Sequence, residues 1–198
     1  GIGQEMRRQP SFVWWVVNRL AFLVGANSLS GFMLYFIQER FSDLAGAKAA
    51  GPASVAMLVV GVLILVTAVP GGYLTDRFGE KRLLVVAAIL ATAGTAIVVL
   101  VPHIAALYGG GGLVGVGVGL FFTANWALGT EIVPPQEAGR YLSLSNLAGA
   151  GAGAIGSYIG GPLADHTGYV VLFAVYGALF AASVLSLLGI RGPKAATA

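Results

Sequence analysis

The 198-residue sequence contains no cysteine. A disulfide scaffold and a thiolate metal site are therefore excluded. Charge is almost as scarce. Only 10% of the residues are Asp, Glu, Lys or Arg, against about a quarter in an ordinary soluble domain. No water-facing surface can be built from so few charges, so a soluble globular domain is excluded too. Histidine occurs only at His103 and His166, with no second histidine or carboxylate at ligand spacing, which leaves no metal site to expect. An intramembrane enzyme would need paired groups inside an apolar segment, such as two aspartates or Ser with His, and no such pair is present. Strict polar/apolar alternation over ~10 residues is missing as well, which excludes transmembrane β-strands.

What is present is apolar length. Hydrophobic residues make up 57% of the chain, and the mean hydropathy is +0.86. A hydrocarbon core of ~30 Å needs about 20 apolar residues in a helix. Six segments meet that length: 11–36, 53–73, 83–101, 105–129, 141–163 and 168–190. The expectation is an all-α membrane protein with a linker at 1–10, a six-helix bundle at 11–190 and a tail at 191–198. The opening Gly1-Ile2-Gly3-Gln4 is unlike a signal peptide, and the chain reads as starting inside a longer sequence.

Lys and Arg alternate strongly between connections. Arg7, Arg8, Arg77, Lys81, Arg82, Arg140, Arg191 and Lys194 fall on one side of the six spans, and only Arg40 and Lys48 on the other. By the positive-inside rule both termini are cytoplasmic. The basic pI follows from the same loops, so no nucleic-acid partner is expected; the partner is the lipid bilayer.

Two stretches share the skeleton G-G-x-L-x-D-x-x-G: GGYLTDRFG at 71–79 and GGPLADHTG at 160–168. Three spans separate them, and an odd number inverts the second copy relative to the first. This is the trace of a three-plus-three inverted-topology repeat. Only the first copy is followed by Glu80-Lys81-Arg82, as expected if the second faces outward, where Lys and Arg are disfavoured.

The segment Gly72-Tyr73-Leu74-Thr75-Asp76-Arg77-Phe78-Gly79-Glu80-Lys81-Arg82 reads G-x-L-x-D-R-x-G-x-K-R between two apolar spans on the basic side. It resembles the signature loop between the second and third helices of each six-helix half in the major facilitator superfamily. Glu131 to Arg140, with its Pro134-Pro135 pair, resembles the loop after the fourth helix of a half, and the glycine-rich fifth span also fits. The opening Arg7-Arg8-Gln9-Pro10 and the segment Asn125-Trp126-Ala127-Leu128 resemble the C-terminal half of bacterial members. The resemblance implies half of a twelve-helix secondary transporter in the plasma (bacterial inner) membrane. Its partners would be the missing N-terminal half, a small-molecule solute and a coupling ion (proton or sodium). None of the eight acidic residues lies mid-span. Coupling therefore belongs to the absent half, or the protein is a facilitator. A non-transporting scaffold or receptor-like relative is the alternative from another class, and a six-span half-transporter acting as a dimer is a third arrangement.

Two groups of site residues follow. Arg19 lies about eight residues into the first span, where a charge costs ~2.5–3.5 kcal/mol at the bilayer centre and needs a cavity or a partner. Asn27 shares its stripe, and Asn18 lies on an adjacent face. The resemblance places the first and fourth helices around the central cavity, giving Arg19, Asn27, Asn125, Trp126 and Asn146 as substrate-cavity residues. Arg19 has two structural alternatives, snorkelling to the interface and pairing with Glu131. The pair Trp14-Trp15 reads as an interfacial anchor. The second group, Gly72, Asp76, Arg77, Gly79, Lys81, Arg82, Glu131 and Arg140, forms a cytoplasmic gate, in which Asp76 latches onto the start of the fifth span and Arg140. Asp165 and His166 offer a weaker outer counterpart. The fifth span also carries Gly149-x-x-x-Gly153 and Gly156-x-x-x-Gly160, small-residue ridges for close helix contact. Few polar groups interrupt spans three and six, which suits peripheral helices.

Overall fold

A computed structural model describes residues 10–133 and 138–190 of the chain. Arg7, Arg8, Arg191, Lys194 and the loop at 134–137 lie outside the described residues, as does the side chain of Arg140. Every described element is helical: α1 Pro10–Arg40, α2 Ala50–Phe78, α3 Glu80–Leu100, α4 Ile104–Ile132, α5 Ala138–Thr167 and α6 Tyr169–Ser186. Short 3-10 turns fill 42–49 and 187–189. A helix covers most of each apolar segment, and several run past the apolar limit by a turn or more, because polar end residues continue a helix outside the hydrocarbon. Pro10 opens α1, where a missing N–H costs nothing.

Among the described residues, five helices are long and apolar enough to cross a membrane: α1, α2 with the short turn before it, α3, α4, and α6 with the short turn after it. α5 is equally long at 30 residues, but glycine, serine and the terminal Asp165 and His166 dilute its apolarity.

The helices pack in an exchanged pattern. α4 makes its main contacts with α2 and α3, while α1 makes its main contacts with α5 and α6. α3 against α6 and α1 against α4 close the bundle. Each first helix of a triplet is thus held by the second and third helices of the other triplet. At the centre, Phe22 of α1 stacks on Phe121 of α4 at 3.9 Å, and Phe180 of α6 lies 4.8 Å from Phe22.

Glycine permits the closest approaches. A Cβ on Gly94 of α3 would stand 2.4 Å from the carbonyl oxygen of Gly110, and one on Gly110 would stand 2.5 Å from that of Gly94. On the other face of α4, a Cβ on Gly115 or Gly119 would meet the Val60 or Ile64 carbonyl of α2 at 2.7 or 2.8 Å. Two glycine faces on one helix let α4 lie backbone to backbone between two neighbours. The ridge on α5 works similarly: a Cβ on Gly156 would overlap the Ser28 hydroxyl at 1.9 Å.

The two repeated stretches form the same turn. Gly79 has φ 88 and ψ 150, and Gly168 has φ 86 and ψ 164, a region open essentially to glycine alone. The Gly79 N–H donates to Thr75 O at 2.8 Å, and the Gly168 N–H to Ala164 O at 2.7 Å. Leu83 and Leu172, four residues on, donate back to the two glycine carbonyls at 3.3 and 3.2 Å. One glycine reverses the chain in each triplet.

α3 and α6 are half-buried rather than peripheral all round. Tyr176 donates from its hydroxyl to Gly156 O at 2.6 Å, and Thr95, Ser183 and Ser186 are buried. The least buried spanning helix is α2, whose Leu58, Leu65, Val66 and Val69 project outward. Polar residues in α3 and α6 satisfy their hydroxyls on carbonyls of their own or a packed helix, which lets them face inward.

Candidate functional site

The end of α1 reaches the second glycine turn. Glu39 accepts from the Tyr169 N–H through both carboxylate oxygens, at 3.0 and 2.9 Å, and from the Val170 N–H at 3.3 Å. A carboxylate here satisfies free donors at the positive end of α6. Glu39→Gln is expected to lower the thermal midpoint by an amount equivalent to about 0.5–1 kcal/mol. Fluorescence-monitored melting of the detergent-solubilised protein checks this, and an unchanged midpoint would show the cap to be idle. The sequence reading passed over Glu39, because only the fold brings the end of α1 to the start of α6.

In the first third of α1, four side chains from two helices join. Arg19 Nη1 donates to Asn125 Oδ1 at 2.8 Å, and Asn125 Nδ2 donates to Asn18 Oδ1 at 3.3 Å. Asn18 Nδ2 donates to Ser183 O of α6 at 3.0 Å. Trp15 Nε1 donates to the Asn125 carbonyl at 2.8 Å. Asn125 and Trp15 are fully buried, and Arg19 is 7% exposed. The spacing 15, 18, 19 follows one helical face, and position 125 meets it from α4.

Trp15 is therefore not an interfacial anchor. Consecutive residues point about 100° apart on a helix, so Trp14 and Trp15 cannot share a role. Trp14 is 43% exposed, whereas Trp15 enters space left by Gly129, where an added Cβ would overlap the indole at 2.3 Å.

Arg19 opens onto a cleft lined by Gly72, Phe122, Thr123, Trp126 and Ala127. Arg19, Asn125 and Trp126 are thus brought together. Asn27 lines a separate, largely apolar cavity with Leu23, Ser30, Met57, Val114 and Phe173. At ≈ 130 Å³ that cavity is too small for a drug-sized ligand. Phe122 borders both spaces. Asn146 is exposed on α5 and lines neither. Asn18 carries no sequence signal for the cluster, because it lies on an adjacent helical face and joins only where α6 supplies Ser183 O.

The gate residues divide. Gly79, Lys81, Arg82 and Glu131 line one pocket with Phe78, Glu80 and Leu128. Lys81 Nζ donates to Ile190 O, tying the start of α3 to the end of the α6 segment. Arg77 lies 5.4 Å over the Phe78 ring and donates to the Tyr73 hydroxyl at 3.4 Å. Asp76 is exposed. Gly72 belongs to the Arg19 cleft rather than to this pocket. Arg19 and Glu131 line different pockets, and six residues of α4, about 9 Å of rise, separate Glu131 from Asn125.

The comparisons agree on the family. The family model described as Major Facilitator Superfamily matches residues 16–198. Human Sialin is 32% identical over 122 residues, covering 58% of this chain and 24% of that protein. Multidrug resistance protein MdtH of Yersinia pestis (strain Pestoides F) is 31% identical over 141 residues, covering 69% of this chain and 34% of that protein. The chain therefore spans about a quarter to a third of these curated relatives. Among solved structures, a peptide transporter POT in complex with sulfate superposes with a TM-score of 0.80 at 15% identity, covering 92% of this chain and 38% of the other. A bacterial homologue of the human drug peptide transporters PepT1 and PepT2 superposes with a TM-score of 0.74 at 20% identity, covering 90% of this chain and 41% of the other. At those identities the likeness establishes the fold alone. With 16–198 under one family model and its own helices packed as in those structures, the chain belongs to the Major Facilitator Superfamily and is a multi-pass membrane protein.

Proposed function

We propose that this chain is a six-helix half of a secondary transporter that moves a small solute by alternating access. The observation that carries the reading is the exchanged packing, α1 on α5 and α6, α4 on α2 and α3, together with two glycine turns of one geometry. Both features are expected of a three-plus-three inverted repeat. Coverage of about two-fifths of the matched transporter chains supports a half, which the motif resemblance assigns as the C-terminal one.

The solute path includes the cleft beside Arg19, Asn125 and Trp126, with Asn27 in the adjoining cavity and Asn146 on the exposed face of α5 as further polar members of the path. Gly72, Asp76, Arg77, Gly79, Lys81, Arg82, Glu131 and Arg140 form the cytoplasmic gate. Both termini are cytoplasmic, and the second glycine turn faces the opposite side. A bilayer, the other six-helix half and a small solute complete the machine. A coupling proton or sodium ion has no mid-span carboxylate to use in this chain.

This chain has no cysteine to compete with an introduced one. Thr123→Cys introduces a thiol into the cleft. An impermeant methanethiosulfonate should reach it from each side of the membrane, and closing one side should protect it only from that side. A thiol reached from one side alone, under all conditions, would sink alternating access.

The gate makes a separate prediction. Asp76→Asn removes the charge that latches the closed cytoplasmic side, and labelling of Thr123→Cys from the cytoplasm should rise several-fold. Unchanged labelling in the Asp76→Asn background would remove Asp76 from the gate.

A further inference from the structure

Arg19 is a buried cation whose hydrogen-bonding capacity is mostly unspent. Of its five N–H donors, one on Nη1 meets Asn125 Oδ1. Nε is buried and has no partner among the described residues. Asn125 is neutral, and so is Asn18 behind it. A guanidinium taken out of water retains a strong demand for an anion.

The structural alternatives fail on geometry. A snorkelling arginine runs along its own helix towards the interface, whereas Arg19 reaches across to Asn125 on α4 and lies beside Gly149 on α5. Glu131 belongs to the other pocket, with Gly79 and Lys81. What Arg19 does face is a cleft otherwise lined by Gly72, Phe122, Thr123, Trp126 and Ala127. Trp126, 44% exposed, gives the same cleft an aromatic wall. A Cβ on Gly72 would meet no heavy atom within 4 Å, so the glycine leaves that wall open.

We propose that the cleft binds an organic monocarboxylate with an apolar or aromatic body. The carboxylate takes the terminal Nη–H groups of Arg19 that Asn125 leaves free, while the buried Nε stays against Gly149 of α5. The body rests on Phe122 and Trp126. Asn125 holds the guanidinium in position from behind, as a positioning residue, and Asn18 holds Asn125. The inference rests on the cleft belonging to the solute path and adds the charge class of the solute.

Benzoate, benzamide and benzamidine are nearly isosteric and carry charges of −1, 0 and +1. Each is titrated into the intact protein in detergent, with tryptophan fluorescence as the readout and thermal melting as the check on folding. Benzoate should bind at least about tenfold more tightly than benzamide, and benzamidine should not bind, because a buried polar group left unpaired discriminates strongly. Arg19→Gln should erase the order, and Arg19→Lys should keep its sign with a smaller ratio. Equal binding by the three probes overturns the proposal, as does an unchanged ratio in Arg19→Gln. If wild type shows no benzoate preference while Arg19→Gln loses stability, the guanidinium is paired within the protein, and the proposal again fails. Should Arg19→Gln not fold, Asn125→Asp decides. A carboxylate placed beside Arg19 should compete benzoate away, and undiminished benzoate binding overturns the assignment. Binding in detergent requires no transport, so a failure of vesicle uptake alone would count against alternating access and leave the carboxylate site standing.

Discussion

Gly94→Leu is expected to prevent the bundle from assembling. The Cβ alone would stand 2.4 Å from the Gly110 carbonyl oxygen, 2.9 Å from the Val114 nitrogen and 2.9 Å from the Leu113 Cβ. Two of these atoms are backbone and the third is a Cβ, so no flexible side chain can swing aside. α3 and α4 would have to separate, and α4 is simultaneously seated on α2 through Gly115 and Gly119. Extra volume in a packed interior costs typically ~1–3 kcal/mol where side chains can yield. Here the obstruction is main chain, which puts the cost at or above about 3 kcal/mol. Gly61→Leu is the matched control, because a Cβ at that position meets nothing within 4 Å. Monodispersity and thermal midpoint by fluorescence-detected gel filtration distinguish the two. The interface reading is wrong if Gly94→Leu behaves like Gly61→Leu.

The second large effect is expected at Asn125. Asn125→Leu removes the acceptor for Arg19 and the donor to Asn18 in one substitution. A hydrogen bond to a charged group contributes about 1.5–3 kcal/mol, and its loss leaves a buried cation without a partner. Stability should fall by that order, and the cleft should lose its organised cation. Asn125→Asp should cost less than Asn125→Leu, since the new carboxylate neutralises Arg19 at the same distance, although it loses the donor to Asn18 Oδ1. The pair of variants separates a structural from a binding contribution. If both lower stability equally, Asn125 acts through shape and not through its contact with Arg19.

Five of the six expected spans were legible because membrane insertion is a local property, which each of those apolar segments meets by itself, while α5 is diluted by its polar residues. The glycine turns were legible for a similar reason. A residue held at φ near +87 must be glycine, so Gly79 and Gly168 mark their conformation in the sequence. Arg19 stood out because a charge inside an apolar run is costly wherever it points.

Other features depended on helix rotation and neighbour choice. Trp14 and Trp15 are adjacent in sequence, yet one is exposed and the other is sealed against Gly129. Span five showed its small-residue ridges as plain motifs. The glycines of α4 gain their meaning only from α2 and α3 lying on opposite faces of it. Asn27 and Arg19 share a stripe eight residues apart, but Phe122 stands between their spaces. Asn146 is polar, and the structure leaves it exposed on α5.

By itself the sequence determined an all-helical membrane chain, two glycine reversals and one arginine that could not rest in lipid. Those follow from the solvent, from backbone sterics and from the cost of desolvating a charge, which act residue by residue. Only the tertiary structure decided that Arg19 meets Asn125, that Glu39 caps α6, and that α4 lies backbone to backbone between α2 and α3. In these bundles association depends on packing fit and interhelical hydrogen bonds, and both are set by which faces of different helices meet.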